Sequence, residues 1–249
     1  MTREIVRDIV DICHRLSARG MVCATDGNVS ARLENGHILA TRSGINKGMV
    51  SPQDLVEVDR AGAQISGDGK PSTEMSMHLF VYAERPDVGA VVHAHPPFAT
   101  GFAAARLSLD RCLLPEVIVG LGSVPLAAYA TPSTGEVPES LRPLVHSADA
   151  ILLANHGVVA FGPTLLDAYF RMEKVEHAAQ VTLIARLLGG ERPLSTGEVH
   201  KLQSISRESY GKDISGIPAC IPGDAPAEDT ADHELRAYIE EKLKTLGIR

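Results

Sequence analysis

Apolar residues recur every three or four positions in several stretches of the chain, a spacing that predicts amphipathic helices. The first stretch covers residues 3–19 and ends at Gly20. A second follows the sequence "KPSTEMSMH", in which Ser72 or Thr73 can cap a helix and Glu74 lies in its first turn. A cap residue followed by a first-turn acid predicts that a helix begins at this point.

Two further helices are predicted in the second half of the chain. The longer one covers residues 164–188 and is closed by a Gly-Gly pair. Ser195 and Glu198 form a capping box that opens the other, which extends to about residue 210. A short helix is also predicted over "PFATGFAAAR".

The segments between the helices carry alternating or continuous apolar runs, which predict strands. Runs over 28–33 and 37–41 flank the turn "ENG" as in a β-hairpin, and runs over 55–59 and 64–66 repeat the pattern. "VGAVVHAH", "EVIVGL" and "VPLAAYA" predict strands, and "AILLANHGVVAFG" predicts two strands around a His-Gly turn. Because strands and helices do not alternate strictly, the pattern predicts an α/β fold with a mixed or antiparallel central sheet.

The last part of the chain differs in composition from the rest. Residues 212–232 are rich in Pro, Gly, Ala and acidic residues, as in a linker or an extended arm. A final helix is predicted from His233 to about Leu246. We therefore expect one domain over residues 1–211 and an arm with a C-terminal helix over residues 212–249.

Composition and charge argue against several classes of partner. The chain has 249 residues, no tryptophan and only 4% aromatic residues, so stacking platforms for single-stranded nucleic acid are not expected. The net charge of −7 argues against a broad contact with a phosphate backbone, although it permits a small local anion site. A small molecule is therefore a better candidate ligand than a nucleic acid.

Hydropathy and cysteine usage suggest where the protein resides. No apolar stretch approaches the ~18 residues needed to cross a bilayer, and no signal-peptide core precedes the first helix. The cysteines are scattered, without a CxxC pair or a dense framework, which is typical of a reducing compartment. We expect a soluble cytoplasmic protein with no membrane partner. The cysteines are Cys13, Cys23, Cys112 and Cys220.

The sequence "VVHAHPPFAT" ends a buried strand with two histidines. Successive strand residues face opposite sides of a sheet, so His93 and His95 project the same way. A third ligand is available from His156, at the tip of the apolar strand in "LLANHGVV". Three neutral imidazoles would leave one coordination position open, as catalytic zinc requires. The alternative is that each is a structural histidine bonded within the fold.

The other histidines are weaker candidates. His78 and His177 lie on predicted helix faces, where a core or supporting role is the default. The rest occur in polar or helical surface contexts and are expected to be exposed. They are His14, His37, His146, His200 and His233.

A carboxylate and several small polar segments could complete a site. Glu74 could favour the dipole of its helix, or act beside a metal as a ligand that moves away to become a base. Ser72, Thr73 and the segments "GNVS" and "TRSG" could provide amides and hydroxyls for an anion such as phosphate, or could simply form turns. Glu116 is a surface residue or a second acid/base, and Tyr210 is by default a packing residue.

Five separated motifs, taken together, resemble one known family. "GNVSARL", "TRSG", "KPSTEMSMH", "VVHAHPPFA" and "LLANHGVVAFG…DAYFRMEKVEHAAQ" occur in the order typical of the class II aldolase/adducin N-terminal family. The resemblance covers roughly residues 1–210 and is greatest to the L-fuculose-1-phosphate aldolase branch. It implies a three-layer α/β/α sandwich around a mixed, largely antiparallel sheet, and a homotetramer with active sites between subunits.

The resemblance also implies roles for individual residues. His93, His95 and His156 would hold zinc, although Mn²⁺, Co²⁺ or Fe²⁺ would suit similar ligands. Glu74 would be the ligand that becomes the acid/base, and Tyr210 would match a tyrosine that reaches the site from the C-terminal region. The remaining residues would bind the substrate phosphate. They are Thr25, Gly27, Asn28, Ser43, Gly44, Ser72 and Thr73.

One departure from the family pattern bears on the reaction. Glu116 occupies the place where the fuculose-phosphate enzymes carry a tyrosine that acts across the subunit interface. The expected function is a zinc-dependent aldolase of carbohydrate metabolism that cleaves a ketose 1-phosphate to dihydroxyacetone phosphate and an aldehyde. The alternatives are a dehydratase, epimerase or decarboxylase acting on a sugar phosphate, a non-haem iron oxygenase, and a non-catalytic adducin-like module.

Overall fold

The computed structural model describes residues 2–210 and 220–224 and contains one eight-stranded sheet. Its strands are β1 (Asn28–Arg32), β2 (Ile38–Thr41), β3 (Leu55–Val58), β4 (Gln64–Ser66), β5 (Ala90–Ala94), β6 (Leu126–Ala127), β7 (Ala150–Leu153) and β8 (Gly157–Gly162). They are arranged in the order β4-β3-β2-β1-β5-β8-β7-β6. Neighbouring strands are antiparallel except for β6 and β7, which are parallel. The sheet is therefore mixed and largely antiparallel, as predicted.

Helices cover both faces of the sheet. They are α1 (Thr2–Ala18), α2 (Met75–Glu84), α3 (Pro97–Ala104), α4 (Pro115–Gly120), α5 (Glu136–Leu141), α6 (Leu165–Leu187) and α7 (Thr196–Tyr210), and short 3-10 helices form at Lys47–Met49 and Pro52–Asp54. One apolar core joins the sheet to α1, α3 and α6, and a second joins it to α2 and α5. This arrangement confirms the predicted three-layer α/β/α sandwich.

Strand β5 lies at the centre of the sheet and divides its side chains between the two cores. Val92 and Ala94 belong to the core formed with α1, α3 and α6, whereas Val91 belongs to the core formed with α2. Since side chains alternate along a strand, His93 lies on the α2 side. The sheet thus presents His93 towards the helix that follows Glu74.

Two local predictions are wrong. The run "EVIVGL" forms helix α4 and not a strand, with Pro115 at the first helical position, where its missing N–H costs nothing. Val117 and Leu121, four residues apart, both pack into the α6-side core, as one helical face can. In addition, α2 begins at Met75 with Glu74 at the N-cap and not in the first turn; the Glu74 side chain makes no capping hydrogen bond, and Ser72 Oγ accepts from the Glu74 amide at 3.3 Å.

The scattered cysteines are not all unpaired, contrary to what their spacing suggests. Cys112 and Cys220 form a buried disulfide across a sequence separation of 108 residues. Next to it, the Cys112 amide donates to the Ile221 carbonyl at 3.1 Å. The disulfide therefore fastens segment 220–224 to the chain just before α4. The predicted C-terminal helix and His233 lie outside the described residues. In the described ranges, no helix has both the length and the apolarity needed to span a bilayer.

Candidate functional site

The three histidines of the strand-end motifs converge, as predicted. The Nε2 atoms of His93 and His95 lie 3.1 Å apart. The ring of His156 completes the triangle, with ring centroids 4.8 Å from His93 and 5.0 Å from His95. One nitrogen from each ring can be chosen so that all three lie within 4.8 Å of one another, close enough to share one ion.

The backbone brings these rings together from two neighbouring strands. His93 is paired with Val159 across the β5–β8 ladder, and His95 follows the end of β5. His156 lies in the turn before β8, preceded by Asn155 in the left-handed conformation (φ 56°). A Cβ at Gly157 would lie 2.5 Å from the His95 ring and 2.6 Å from a backbone oxygen. Glycine at this position therefore permits β8 to approach His95 closely.

The hydrogen bond between His93 Nδ1 and the backbone leaves His93 Nε2 free to bind a metal. Its Nδ1 lies 2.9 Å from the Val158 carbonyl oxygen, so Nδ1 carries the proton and donates it. The Nε2 lone pair therefore points into the triangle. His95 has Nδ1 3.6 Å from an Asp26 carboxylate oxygen, a common support for a metal-binding imidazole. Burial lowers the pKa of His93 to about 3 and also lowers the pKa of His95, whereas the nearby Glu74 carboxylate opposes both shifts.

Glu74 faces the histidines with both carboxylate oxygens. Oε1 lies 3.1 Å from His156 Nε2, and Oε2 lies 3.4 Å from His93 Nε2. Burial alone would raise the pKa of Glu74, but the facing imidazoles and the Asn28 amide, which donates to Oε2 at 2.8 Å, hold it well below its usual range. Three imidazole nitrogens and a carboxylate oxygen around one point are a donor set that fits a divalent cation.

A buried chain of hydrogen bonds supports Glu74 from the sheet. His78 is fully buried, and its Nε2 donates to Asn28 Oδ1, so its Nδ1 must accept from Ser30 Oγ. Because Asn28 Oδ1 is held by His78, the Asn28 amide nitrogen is directed to Glu74 and, at 3.1 Å, to Ser72 Oγ. The supporting role expected for His78 is thereby confirmed. By contrast, His177 is exposed, so the same expectation is wrong for that residue.

A cleft of about 310 Å³ opens beside the histidines. All seven residues predicted to bind phosphate line it: Thr25, Gly27, Asn28, Ser43, Gly44, Ser72 and Thr73. Gly27 has φ 75°, and a Cβ there would lie 2.8 Å from the His93 carbonyl oxygen, so this turn needs glycine to pass over β5. The sequence patterns thus identify three separate segments that meet at one polar cleft.

Three charged residues of the cleft were not predicted. They are Asp26, Arg42 and Lys47. Arg42 is paired with Asp54 at 2.8 Å, and Lys47 is almost completely buried. Arg42 and Lys47 flank the predicted "SG" within "TRSGINK", and this clustering of cations around a polar turn is a signal that could have identified them.

Of the other two predicted catalytic residues, Glu116 does not join the histidines within its own chain. Glu116 is exposed in the first turn of α4 and lines a different cavity, together with Lys174, Leu202 and Ile205. Tyr210 is the last residue of α7, and its side chain lies outside the part of the chain that the structure describes. Their roles as acid/base groups stay predictions that depend on a second subunit.

Comparisons with known proteins identify relatives of this chain. The profile of the Class II Aldolase and Adducin N-terminal domain matches residues 7–183. The 3-oxo-tetronate 4-phosphate decarboxylase of Escherichia coli K12 is 37% identical over 210 residues, which covers 81% of this chain and 96% of that enzyme. The L-fuculose phosphate aldolase of Methanococcus vannielii is 33% identical over 179 residues, covering 72% and 96% respectively.

A solved structure has the same fold as this chain and a similar level of sequence identity. The crystal structure of YgbL from Escherichia coli superimposes with a TM-score of 0.74 at 33% identity. The superposition covers 80% of this chain and 97% of that one. The chain therefore matches almost the full length of proteins that carry the same fold.

Proposed function

Since the chain belongs to the Class II Aldolase and Adducin N-terminal domain family, we propose that it is a metal-dependent lyase that decarboxylates a phosphorylated 3-oxo sugar acid. The observation that carries the proposal is the meeting of three imidazoles and Glu74 beside a polar cleft. The similarity to a 3-oxo-tetronate 4-phosphate decarboxylase over 81% of the chain supports the choice of substrate class.

His93, His95, His156 and Glu74 are the residues that would hold the metal ion. A divalent ion bound there, with zinc as the expected one, would act as a Lewis acid towards the substrate carbonyl. His93 fits this role because its Nδ1 proton is held by the Val158 carbonyl, which leaves Nε2 as a ligand. Asp26 would orient His95 from the opposite side of its ring.

The chain's own residues would bind the substrate and manage one proton. The phosphate would lie in the cleft formed by the Thr25–Asn28, Ser43–Gly44 and Ser72–Thr73 segments. The bond between the carboxyl carbon and C2 breaks, its electron pair remains on C2 as an enediolate, and CO₂ departs. A proton from solvent, relayed through the Glu74 carboxylate, would then reach C2 and leave dihydroxyacetone phosphate.

Aldol cleavage of a ketose 1-phosphate is the second candidate, and the similarity to an L-fuculose phosphate aldolase supports it. This reaction forms the same enediolate but needs a base for the hydroxyl proton of the departing aldehyde, whereas CO₂ leaves without losing a proton. Glu116 lies away from the cleft of its own chain. Aldol cleavage would therefore use Glu116 from a neighbouring subunit or Tyr210, a group that decarboxylation does not need, and the similarity to a decarboxylase over 81% of the chain favours decarboxylation.

A product analysis distinguishes the two reactions. Zinc-loaded protein is incubated with 3-oxo-tetronate 4-phosphate and, separately, with fuculose 1-phosphate, and dihydroxyacetone phosphate, CO₂ and aldehyde are measured. We expect CO₂ and dihydroxyacetone phosphate in equal amounts from the acid and slower release of aldehyde from the ketose. Faster aldehyde release would favour the aldolase, and no turnover of either substrate would favour a non-catalytic module.

We also propose a homotetramer with active sites between subunits, located in the cytoplasm even though the Cys112–Cys220 disulfide is a bond more typical of an oxidising compartment. This assembly would bring Glu116 and the C-terminal region of one subunit near the cleft of another. Light scattering after size-exclusion chromatography tests the assembly, and a mass near that of one 26.5 kDa chain would contradict it.

A further inference from the structure

Lys47 is a buried lysine that the reaction described above does not use. Only 2% of its surface is exposed, although lysine is almost never fully buried unless it is paired. Its Nζ donates to the Thr25 carbonyl at 2.9 Å and to the Ile45 carbonyl at 2.7 Å. Lys47 therefore connects the turn that precedes Asn28 with the turn that follows Gly44, two of the three segments that form the cleft.

The positive charge of Lys47 lacks a contacting partner of opposite sign. Among the described residues, no carboxylate oxygen lies within 4.0 Å of Nζ, and two of its three N–H groups are used by the carbonyls. Arg42, on the same cleft, differs because Asp54 pairs with it. Burial lowers the pKa of Lys47, and the nearby charges of Asp26 and Glu74 oppose that shift.

We propose that Lys47 is the cation that neutralises the substrate's phosphate group in the cleft. A buried ammonium without a counterion is costly, and an anion bound beside it removes that cost. Lys47 lines the same cleft as Ser43, Ser72 and Thr73, so an anion held by these hydroxyls would lie in its field. The ligand class is a phosphate monoester dianion, and this inference rests on the proposed function.

A purely structural role for Lys47 makes a different prediction. If it served only to tie the Thr25 and Ile45 carbonyls together, Lys47→Gln, whose shorter side chain keeps two N–H donors but no charge, would retain phosphate binding. If its charge matters, Lys47→Gln loses affinity and Lys47→Arg retains most of it. Lys70 supplies a matched control because it is a lysine close to the cleft whose side chain is exposed. Its backbone carbonyl contacts a cleft residue, by accepting from the Ser43 amide, and Lys70→Gln leaves that carbonyl in place.

The test is calorimetric titration of the full-length, zinc-loaded protein with inorganic phosphate at about pH 7.5, where phosphate is mostly dianionic. We expect Lys47→Gln to weaken binding about 10- to 100-fold, as for loss of a charge-assisted hydrogen bond. Lys70→Gln should change binding less than about twofold, as expected for an exposed charge. Wild-type affinity in Lys47→Gln would overturn the inference.

Two further readouts cover the remaining outcomes. If Lys47→Gln does not fold, the wild type is titrated with phosphate and the ¹⁵N resonance of the Lys47 side chain is followed by NMR. This resonance is assigned by its absence from the spectrum of Lys47→Arg. A shift supports the inference, and an unchanged resonance overturns it. If the wild type neither binds phosphate nor turns over a phosphorylated substrate, the proposed function itself fails, whereas equal binding by wild type and Lys47→Gln rejects only the role of Lys47.

Discussion

Glu74 and His156 are in direct contact in the wall of the cleft, with 3.1 Å between Glu74 Oε1 and His156 Nε2. The two residues are far apart in sequence, and they meet because α2 packs on the face of the sheet that His93 occupies. The carboxylate is therefore placed to bind a metal beside the imidazoles or to exchange a proton with a substrate bound there. Three histidines that only packed together would not need a carboxylate in contact with them, so this contact supports a catalytic arrangement.

Replacing Glu74 tests its role as the proton-transfer group. Glu74→Gln keeps the size and the hydrogen bond with Asn28 but cannot carry a proton, so kcat should fall about 10²- to 10⁴-fold. Zinc content, measured by mass spectrometry, should stay near that of the wild type because three histidines remain. Glu139→Gln, an exposed control, should retain full activity. Comparable kcat in Glu74→Gln and wild type would remove Glu74 from the mechanism.

The zinc affinity of histidine variants tests whether the clustered histidines, and not the surface ones, bind the metal. His95→Ala removes one of three imidazole ligands and should weaken zinc binding about tenfold or more, as measured by competition with a chelating dye. His146→Ala is the control, since His146 is exposed and its Nε2 lies 3.0 Å from a Glu84 carboxylate oxygen, away from the cluster. Equal zinc affinity in both variants would contradict a shared metal site.

The three histidines of the site can be predicted from local sequence patterns more readily than its cations can. His93, His95 and His156 each end an apolar strand, and strand geometry alone places such residues at one edge of a sheet. The clustering of Arg42 and Lys47 around a polar turn can indicate two cleft residues, but the burial of Lys47 depends on two turns that approach only in the folded chain. The same holds for Cys112 and Cys220, 108 residues apart. Helix α4 was missed because a six-residue apolar run suits either a strand or a buried helix.

Acid should destabilise the protein through His78. Burial lowers the pKa of His78 to about 4, against about 6.5 in an unfolded chain. Between these values the unfolded state binds more protons, so stability is lost as the pH falls through this window, by roughly 3 kcal/mol at most. Urea unfolding at about pH 7 and about pH 5 should show a smaller loss for His78→Gln than for wild type. Identical losses would show that His78 does not contribute.

The disulfide should contribute measurably to stability. Closing a loop of this length restricts the unfolded chain and corresponds to about 5 kcal/mol at most in the chain-entropy model. Cys112→Ser with Cys220→Ser should therefore lower the denaturation midpoint, and Cys23→Ser, at an exposed free cysteine, should not. Peptide mapping without reductant checks the bond itself. Unlinked peptides together with an unchanged midpoint would contradict the pairing.

Zinc titration of metal-free protein tests the central claim most directly. Chelator-treated enzyme receives increasing zinc, and the release of dihydroxyacetone phosphate and CO₂ from 3-oxo-tetronate 4-phosphate is followed. If His93, His95, His156 and Glu74 form the metal centre of a lyase, activity rises from near zero and levels off at about one zinc per chain. Full activity in the metal-free protein would contradict the claim.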